Sequence, residues 1–117
     1  MTVTTQPNGT VLADVDRELT SRDRSDLHDT LMEAIGKHRR GLLLLGLHNF
    51  DYDAQDATDI WFDVKAAAFL KGVMRMAVVT EAAHAKDYEQ FTFMAPFRTK
   101  VFPVEQRAEA IVWLEDV

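Results

Sequence analysis

The chain contains no cysteine among its 117 residues. Disulfide bonds, thiolate nucleophiles, zinc–thiolate sites and iron–sulfur clusters are therefore excluded, whereas the redox compartment stays open. A basic stretch followed by an apolar one, as in a secretory signal, is also missing from the N-terminal residues. The longest strongly apolar run is far shorter than the ~20 residues that a membrane-spanning helix needs. We therefore expect a cytoplasmic protein.

Positive charge is scarce as well. Thirteen Lys and Arg face nineteen Asp and Glu, which gives a net charge of -6. Such a chain repels a phosphate backbone, so we do not expect it to bind nucleic acid. Its one short basic run is KHRR at residues 37–40. We expect this run at the C-terminus of a helix, where cations meet the negative end of the helix dipole.

Linkers rich in proline, glycine or serine, internal repeats and low-complexity segments are all absent from the sequence. The length and the hydrophobic fraction of 47% are typical of one domain with its own core. We therefore expect a single domain over residues 1–117.

The N-terminal residues predict a β-hairpin followed by a helix. TVTTQ (2–6) and TVLADVD (10–16) are separated by the turn residues PNG (7–9), and Val11, Ala13 and Val15 alternate with their neighbours. TSRD at residues 20–23 has the spacing of a capping box, and apolar residues then recur at helical intervals. The first helix is predicted over about Arg22 to His38, ending near Gly41.

The remaining elements alternate between strands and helices. The continuously apolar run LLLLGL (42–47) predicts a central strand that is covered on both faces. Helices are predicted over about 56–71 and 82–95, strands over 74–80 and 98–102, and a final helix opening at Pro103. This order predicts an α/β fold: a mixed, mostly parallel sheet of four to five strands with helices on both faces.

Several stretches carry a family pattern in a fixed order. They are DVDRELTSRD (14–23), the strand, loop and helix from LLLLGL to WFDVK (42–65), RMAVV (75–79), Phe102 at a strand end, and EAIVWL (109–114). Together they resemble the SpoIIAA-like family, relatives of STAS domains with a likeness to CRAL-TRIO lipid-transfer proteins. One departure is Arg17, where the family often has glycine, so the local turn is left open.

The resemblance implies a small STAS-type α/β sandwich without an established enzymatic activity. Lipid or apolar ligand binding and membrane association have been suggested for the family. STAS partner-switching proteins also carry a phosphorylatable hydroxyl after this central strand. Here the loop has no serine, and Thr58, its nearest hydroxyl, stands between Asp56 and Asp59, whose charges would oppose a phosphate. The alternative function is a STAS-type partner-switching interaction module that lacks the usual phosphoacceptor serine and binds its partner through Asp51, Asp53 and Thr58.

The aspartates that follow the central strand do not predict a metal site. An EF-hand loop counted from Asp51 would place Asp56 and Phe62 where glycine and a bidentate glutamate are needed. A two-carboxylate magnesium site stays geometrically open, but turn formation and helix capping are favoured. The histidines lack HExxH spacing, and neither a GxSxG nucleophile nor a glycine-rich loop is present. We expect neither a metal nor a cofactor, and no enzyme.

Two of the predicted helices contain more apolar residues than packing on the sheet requires. In IWFDVKAAAFL (60–70) all residues but one Asp and one Lys are apolar, more than one sheet face requires, and the predicted third helix repeats this surplus. Helix packing, a homodimer interface or an apolar ligand would each explain it. We expect a lipid or small apolar molecule bound between these helices, a homodimer, and peripheral membrane association. The predicted lining residues are Trp61, Phe62, Phe69, Phe93, Met94 and Phe97.

Overall fold

A mixed sheet forms the centre of the protein. The computed structural model describes residues 1–48, 72–84 and 98–116. Within these residues there are five strands: β1 (Thr2–Thr5), β2 (Val11–Asp14), β3 (Gly41–Gly46), β4 (Val73–Thr80) and β5 (Arg98–Pro103). They lie side by side in chain order, with β1 antiparallel to β2 and every other neighbouring pair parallel. The predicted α/β fold with a mixed, mostly parallel sheet is confirmed.

Two helices pack against the described strands, one on each face. Helix α1 (Ser21–His38) lies between β2 and β3 in the chain, and α2 (Arg107–Glu115) follows β5. A short 3₁₀ turn follows β4 at Ala82–His84, and a second one at Val104–Gln106 joins β5 to α2. Among the described residues, no helix is both long and apolar enough to cross a membrane.

The hairpin turn depends on one glycine. The amide of Gln6 donates to the carbonyl of Thr10 at 2.8 Å, and the amide of Gly9 donates back to Gln6 at 2.9 Å. Gly9 has a φ of +96°, and a Cβ there would approach Cγ of His38 to 2.5 Å. A residue with a side chain would therefore face both backbone strain and a steric clash. The predicted hairpin is confirmed, with Thr5 opposite Val11.

Strand β3 separates two hydrophobic cores because successive side chains point to opposite faces. All of its residues from Gly41 to Gly46 are buried. Leu43 and Leu45 pack with the α1 residues in one core, whereas Leu42 and Leu44 pack with the α2 residues in the other. The predicted burial of this strand on both faces is confirmed.

Helix α1 begins with the predicted capping box. The Thr20 hydroxyl accepts a hydrogen bond from the amide of Asp23, and the Asp23 carboxylate accepts one from the amide of Thr20, both at 3.1 Å. The helix ends at His38 and is capped by Arg39, which has a left-handed φ of 62°, and Lys37 and His38 lie in the last turn. The expected position of the basic run is thereby confirmed. Arg17 lies in an exposed bend before the helix and has no positive φ.

Loss of the capping box should lower stability in a pH-dependent way. Burial raises the pKa of Asp23, but its hydrogen bonds with Thr20 and the nearby N-terminal ammonium of Met1 together outweigh that effect and leave the pKa below 3.8. Because the folded-state pKa is lowered, its stabilisation exists above pH 3.8 and is lost as the pH falls through the folded value. We expect Asp23→Ala to cost about 1 kcal/mol at neutral pH in urea unfolding.

The matched control for this variant is Asp29→Ala, because Asp29 is an exposed aspartate on the same helix. Its cost should be smaller and should vary less between pH 7 and the acid range. A cost for Asp23→Ala that did not shrink in acid would contradict the assignment of the stabilisation to the charged carboxylate.

The C-terminal elements differ in their boundaries from the prediction. Strand β5 extends through Pro103, and α2 begins only at Arg107, after a 3₁₀ turn. Pro103 is extended, with ψ 159°, so it ends the strand and precedes the turn instead of opening the helix. The helix predicted over 56–71 lies outside the described residues, as does the helix predicted over 82–95 after His84, and its first residues, Ala82–His84, form a 3₁₀ turn.

Candidate functional site

The carboxyl ends of the parallel strands form the candidate site. β2 ends at Asp14, β3 at Gly46 and β4 at Thr80, and the turn after β5 brings α2 to the same edge. We call this rim the carboxyl edge. In open α/β sheets, ligands generally bind in the crevice outside the carboxyl ends of the strands.

An ion pair joins α2 to β2 across the carboxyl edge. The Arg107 guanidinium donates through Nη1 and Nη2 to the two carboxylate oxygens of Asp14, at 2.8 and 2.9 Å. Both side chains are about one third exposed. Such bidentate pairs are stronger and more specific in geometry than single contacts. The pair therefore fixes the start of α2 relative to the sheet.

Gly46 makes room for this pair. A Cβ at residue 46 would overlap Oδ1 of Asp14 and would lie 3.0 Å from Nη1 of Arg107. The carboxylate and the guanidinium thus lie directly over the end of the central strand. Any larger residue would displace the carboxylate, so glycine is required here for close approach and not for its backbone conformation.

Two adjoining cavities open beside the ion pair, and we call them together the carboxyl-edge cleft. The first has a volume of about 360 Å³ and is lined by Asp14, His48, Val79, Val104 and Arg107. The second measures about 490 Å³ and is lined by His48, Glu81, Ala82, Ala83, Val104 and Glu105. Because both include His48 and Val104, they form one continuous depression along the ends of β3 and β4.

The chemistry of the cleft is acidic and partly apolar. Glu81 and Glu105 are exposed at its rim, whereas the Arg107 cation is already paired with Asp14. Within residues 1–48, 72–84 and 98–116, no three His, Asp or Glu side chains are grouped so as to hold a metal ion. The arrangement suits recognition of a cationic side chain whose stem contacts small apolar residues.

A comparison with known families agrees with this architecture. A family model described as SpoIIAA-like matches residues 10–115, almost the whole chain. The chain belongs to the SpoIIAA-like family. The resemblance inferred from the motifs is thereby confirmed at family level, whereas the likeness to CRAL-TRIO proteins stays a prediction. The search of curated proteins and the search of solved structures each gave no significant match.

The residues predicted to bind ligands or partners lie outside the described part of this SpoIIAA-like domain. This holds for the apolar set Trp61, Phe62, Phe69, Phe93, Met94 and Phe97. It holds equally for the partner-binding set Asp51, Asp53 and Thr58. Both sets stay predictions. The second set follows β3 in the sequence and begins soon after His48, the last described residue before it.

Sequence reasoning missed the ion pair at the centre of the site. Asp14 and Arg107 are 93 positions apart, and neither belongs to a recognisable catalytic or binding motif. Asp14 stands in the stretch that carries the family resemblance, and Arg107 precedes its last motif. A polar residue at the end of a buried strand was the available signal, because such positions converge at the carboxyl edge of a parallel sheet.

Proposed function

We propose that this SpoIIAA-like domain is a non-enzymatic protein-interaction module whose partner docks at the carboxyl edge. The observation that supports the proposal most directly is the carboxyl-edge cleft, an open depression beside a fixed ion pair. Membership of the SpoIIAA-like family is consistent with this function, because STAS partner-switching proteins act through the loop after the central strand, although the usual phosphoacceptor serine is missing here. The partner-binding role of Asp51, Asp53 and Thr58 belongs to this proposal.

Rigidity and charge both suit a docking surface. Because the Asp14–Arg107 pair holds α2 against β2, little ordering is needed when a partner binds. The rim carboxylates of Glu81 and Glu105 would select a partner with a basic surface and would speed its association at low salt. The net charge of -6 adds to that steering.

Charge reversal at the rim tests the proposal. We expect Glu81→Lys/Glu105→Lys to lose about tenfold or more in affinity for any partner recovered by affinity capture and then purified. Glu33→Lys, an exposed change on α1, is the control and should bind as the unaltered chain does. Calorimetry at low and high salt measures the effect. Equal affinity for all three proteins would contradict docking at this edge.

Phosphorylation control is tested separately at Thr58. A partner-switching role predicts that Thr58→Glu weakens binding of the same purified partner, whereas Thr58→Ala leaves it intact. Identical affinities for both variants would remove the switch while leaving the docking surface itself in place.

The apolar ligand, the homodimer and the peripheral membrane association stay predictions. The side chains predicted to line the ligand groove lie outside the described residues. Native mass spectrometry of the purified protein would show a lipid-sized adduct or a dimer directly. Bare monomer, without a thermal shift on adding fatty acids, would contradict both the ligand and the dimer.

A further inference from the structure

A basic strip runs along the edge of the sheet, away from the carboxyl edge. It consists of Arg75 on β4 with Arg98 and Lys100 on β5, and Arg98 lies opposite Arg75 in the register. Phe102 is buried in the α2 core, so Lys100 and Arg98, two and four residues before it, point to the same face. The Lys100 ammonium lies 5.2 Å from the centre of the Phe102 ring.

Of these three cations, only Arg75 donates a hydrogen bond within the described residues. The Arg75 guanidinium lies 5.1 Å from the Trp113 ring centre and donates through Nη1 to the Trp113 carbonyl at 2.6 Å. It thereby satisfies a carbonyl in the last turn of α2. Arg98 and Lys100 are exposed. No carboxylate of the described residues forms an ion pair with the strip.

This arrangement is unfavourable for the isolated domain. Arg75 and Arg98 are directly opposite each other on adjacent strands, where like charges repel. Charge arrangements that do not stabilise the fold tend to occur at surfaces that have a function. The strip is therefore a candidate contact for a negatively charged partner.

The position of the strip on an edge strand indicates how such a partner would bind. β5 is the last strand in the sheet order, and no other described strand pairs with its outer side. An edge strand presents unpaired amide and carbonyl groups to which an extended segment can add. Lys and Arg on such an edge discourage pairing with a second copy of the same strand, but they attract a strand of opposite charge.

We propose that β5 accepts an acidic, extended segment of a partner protein as an added strand. Glu or Asp side chains at alternate positions of that segment face Arg98 and Lys100, while its backbone hydrogen-bonds to the outer side of β5. This surface is distinct from the carboxyl edge, because both cations belong to the first half of β5 and the cleft lies beyond its end.

An anionic membrane is the less favoured occupant of the strip. Each Lys or Arg near an anionic leaflet contributes only modestly, and the many carboxylates of this chain oppose adsorption. A strand, by contrast, gains main-chain hydrogen bonds in addition to the charge pairs. The geometry therefore favours a peptide segment.

A labelled synthetic peptide tests the proposal without knowledge of the natural partner. The probe alternates Glu with Thr and Val, and fluorescence anisotropy measures its binding to the full chain at low and high salt. We expect Arg98→Glu/Lys100→Glu to weaken binding about tenfold or more. The control Arg22→Glu/Lys37→Glu reverses two exposed cations on α1 and should bind as the unaltered chain does.

Two further probes separate strand addition from simple attraction. The first probe is a pair of N-methylated forms of the same peptide, each methylated at alternate residues so that one of the two backbone edges is blocked. Only one of the two forms should lose affinity, because an added strand hydrogen-bonds to β5 through one edge. A peptide with Lys in place of Glu should not bind. Equal binding of the Glu and Lys peptides, or full binding of both methylated forms, would overturn the proposal. So would binding to phosphatidylserine vesicles without any binding of the peptide.

Discussion

Replacing Leu44 with alanine is expected to lower the free energy of unfolding by about 2–5 kcal/mol. Leu44 is fully buried in the middle of β3, between Leu12 on β2 and Ala77 on β4. It packs beneath α2 in the core that includes Ala110 and Leu114. Truncation would leave a cavity that a close-packed sheet and helix can fill only in part, so the lost contacts are not regained.

The matched control is Val112→Ala on α2, where the side chain is 68% exposed. Val112→Ala should lower the free energy of unfolding by less than about 0.5 kcal/mol, because folding removes little of this side chain's apolar surface from water. Urea unfolding followed by circular dichroism measures both variants. A Leu44→Ala protein as stable as Val112→Ala would contradict the placement of α2 over the central strand.

The elements that sequence reasoning predicted correctly are those that local physics determines. The capping box needs only Thr20 and Asp23, three residues apart, and the hairpin turn needs only a short local stretch. Likewise, the run LLLLGL has no polar side to present to water, so burial on both faces follows from its composition. The mostly parallel pairing of the strands followed from the alternation of strands and helices.

Leu12 shows where local reasoning was incomplete. The alternating pattern in the sequence singled out Val11, Ala13 and Val15 as the apolar face of the strand, and these residues do pack in the core with α1. Leu12 is nevertheless only 8% exposed, in the α2 core. Helix α1 covers one face of β2 and α2 covers the other, so side chains on both faces are buried. Whether a second helix covers the other face of a strand depends on elements that are distant in sequence, which no short pattern records.

The Asp14–Arg107 pair was unpredictable for a related reason. Its geometry needs β2 beside β3, a glycine at residue 46, and α2 starting late, after a 3₁₀ turn. Each condition arises in a different part of the chain. The sequence analysis predicted binding by the aspartates after β3 and by the aromatic side chains of two helices, whereas the ion pair of the described site joins two residues that are 93 positions apart.

Replacing Gly46 with alanine is expected to destabilise the protein by about 1–3 kcal/mol. The new Cβ would overlap Oδ1 of Asp14, so the carboxylate must move away and the bidentate pair with Arg107 must open. Because both side chains are about one third exposed, water would partly satisfy the separated charges and hold the cost within this range. Urea unfolding at neutral pH measures it.

A second background decides whether the cost arises from the ion pair. In Asp14→Ala, the group that the new methyl would meet is gone, and the remaining close atom, Nη1 of Arg107 at 3.0 Å, is the end of a flexible side chain. Gly46→Ala should therefore be nearly neutral in that background, and the difference between the two backgrounds is the coupling energy. An equal cost in both would assign the effect to the backbone of β3.

If the coupling is present, Gly46→Ala should also weaken partner binding at the carboxyl edge, although it alters no charge at the rim. The reason is that α2 and Val104 would no longer be held against the sheet by the ion pair.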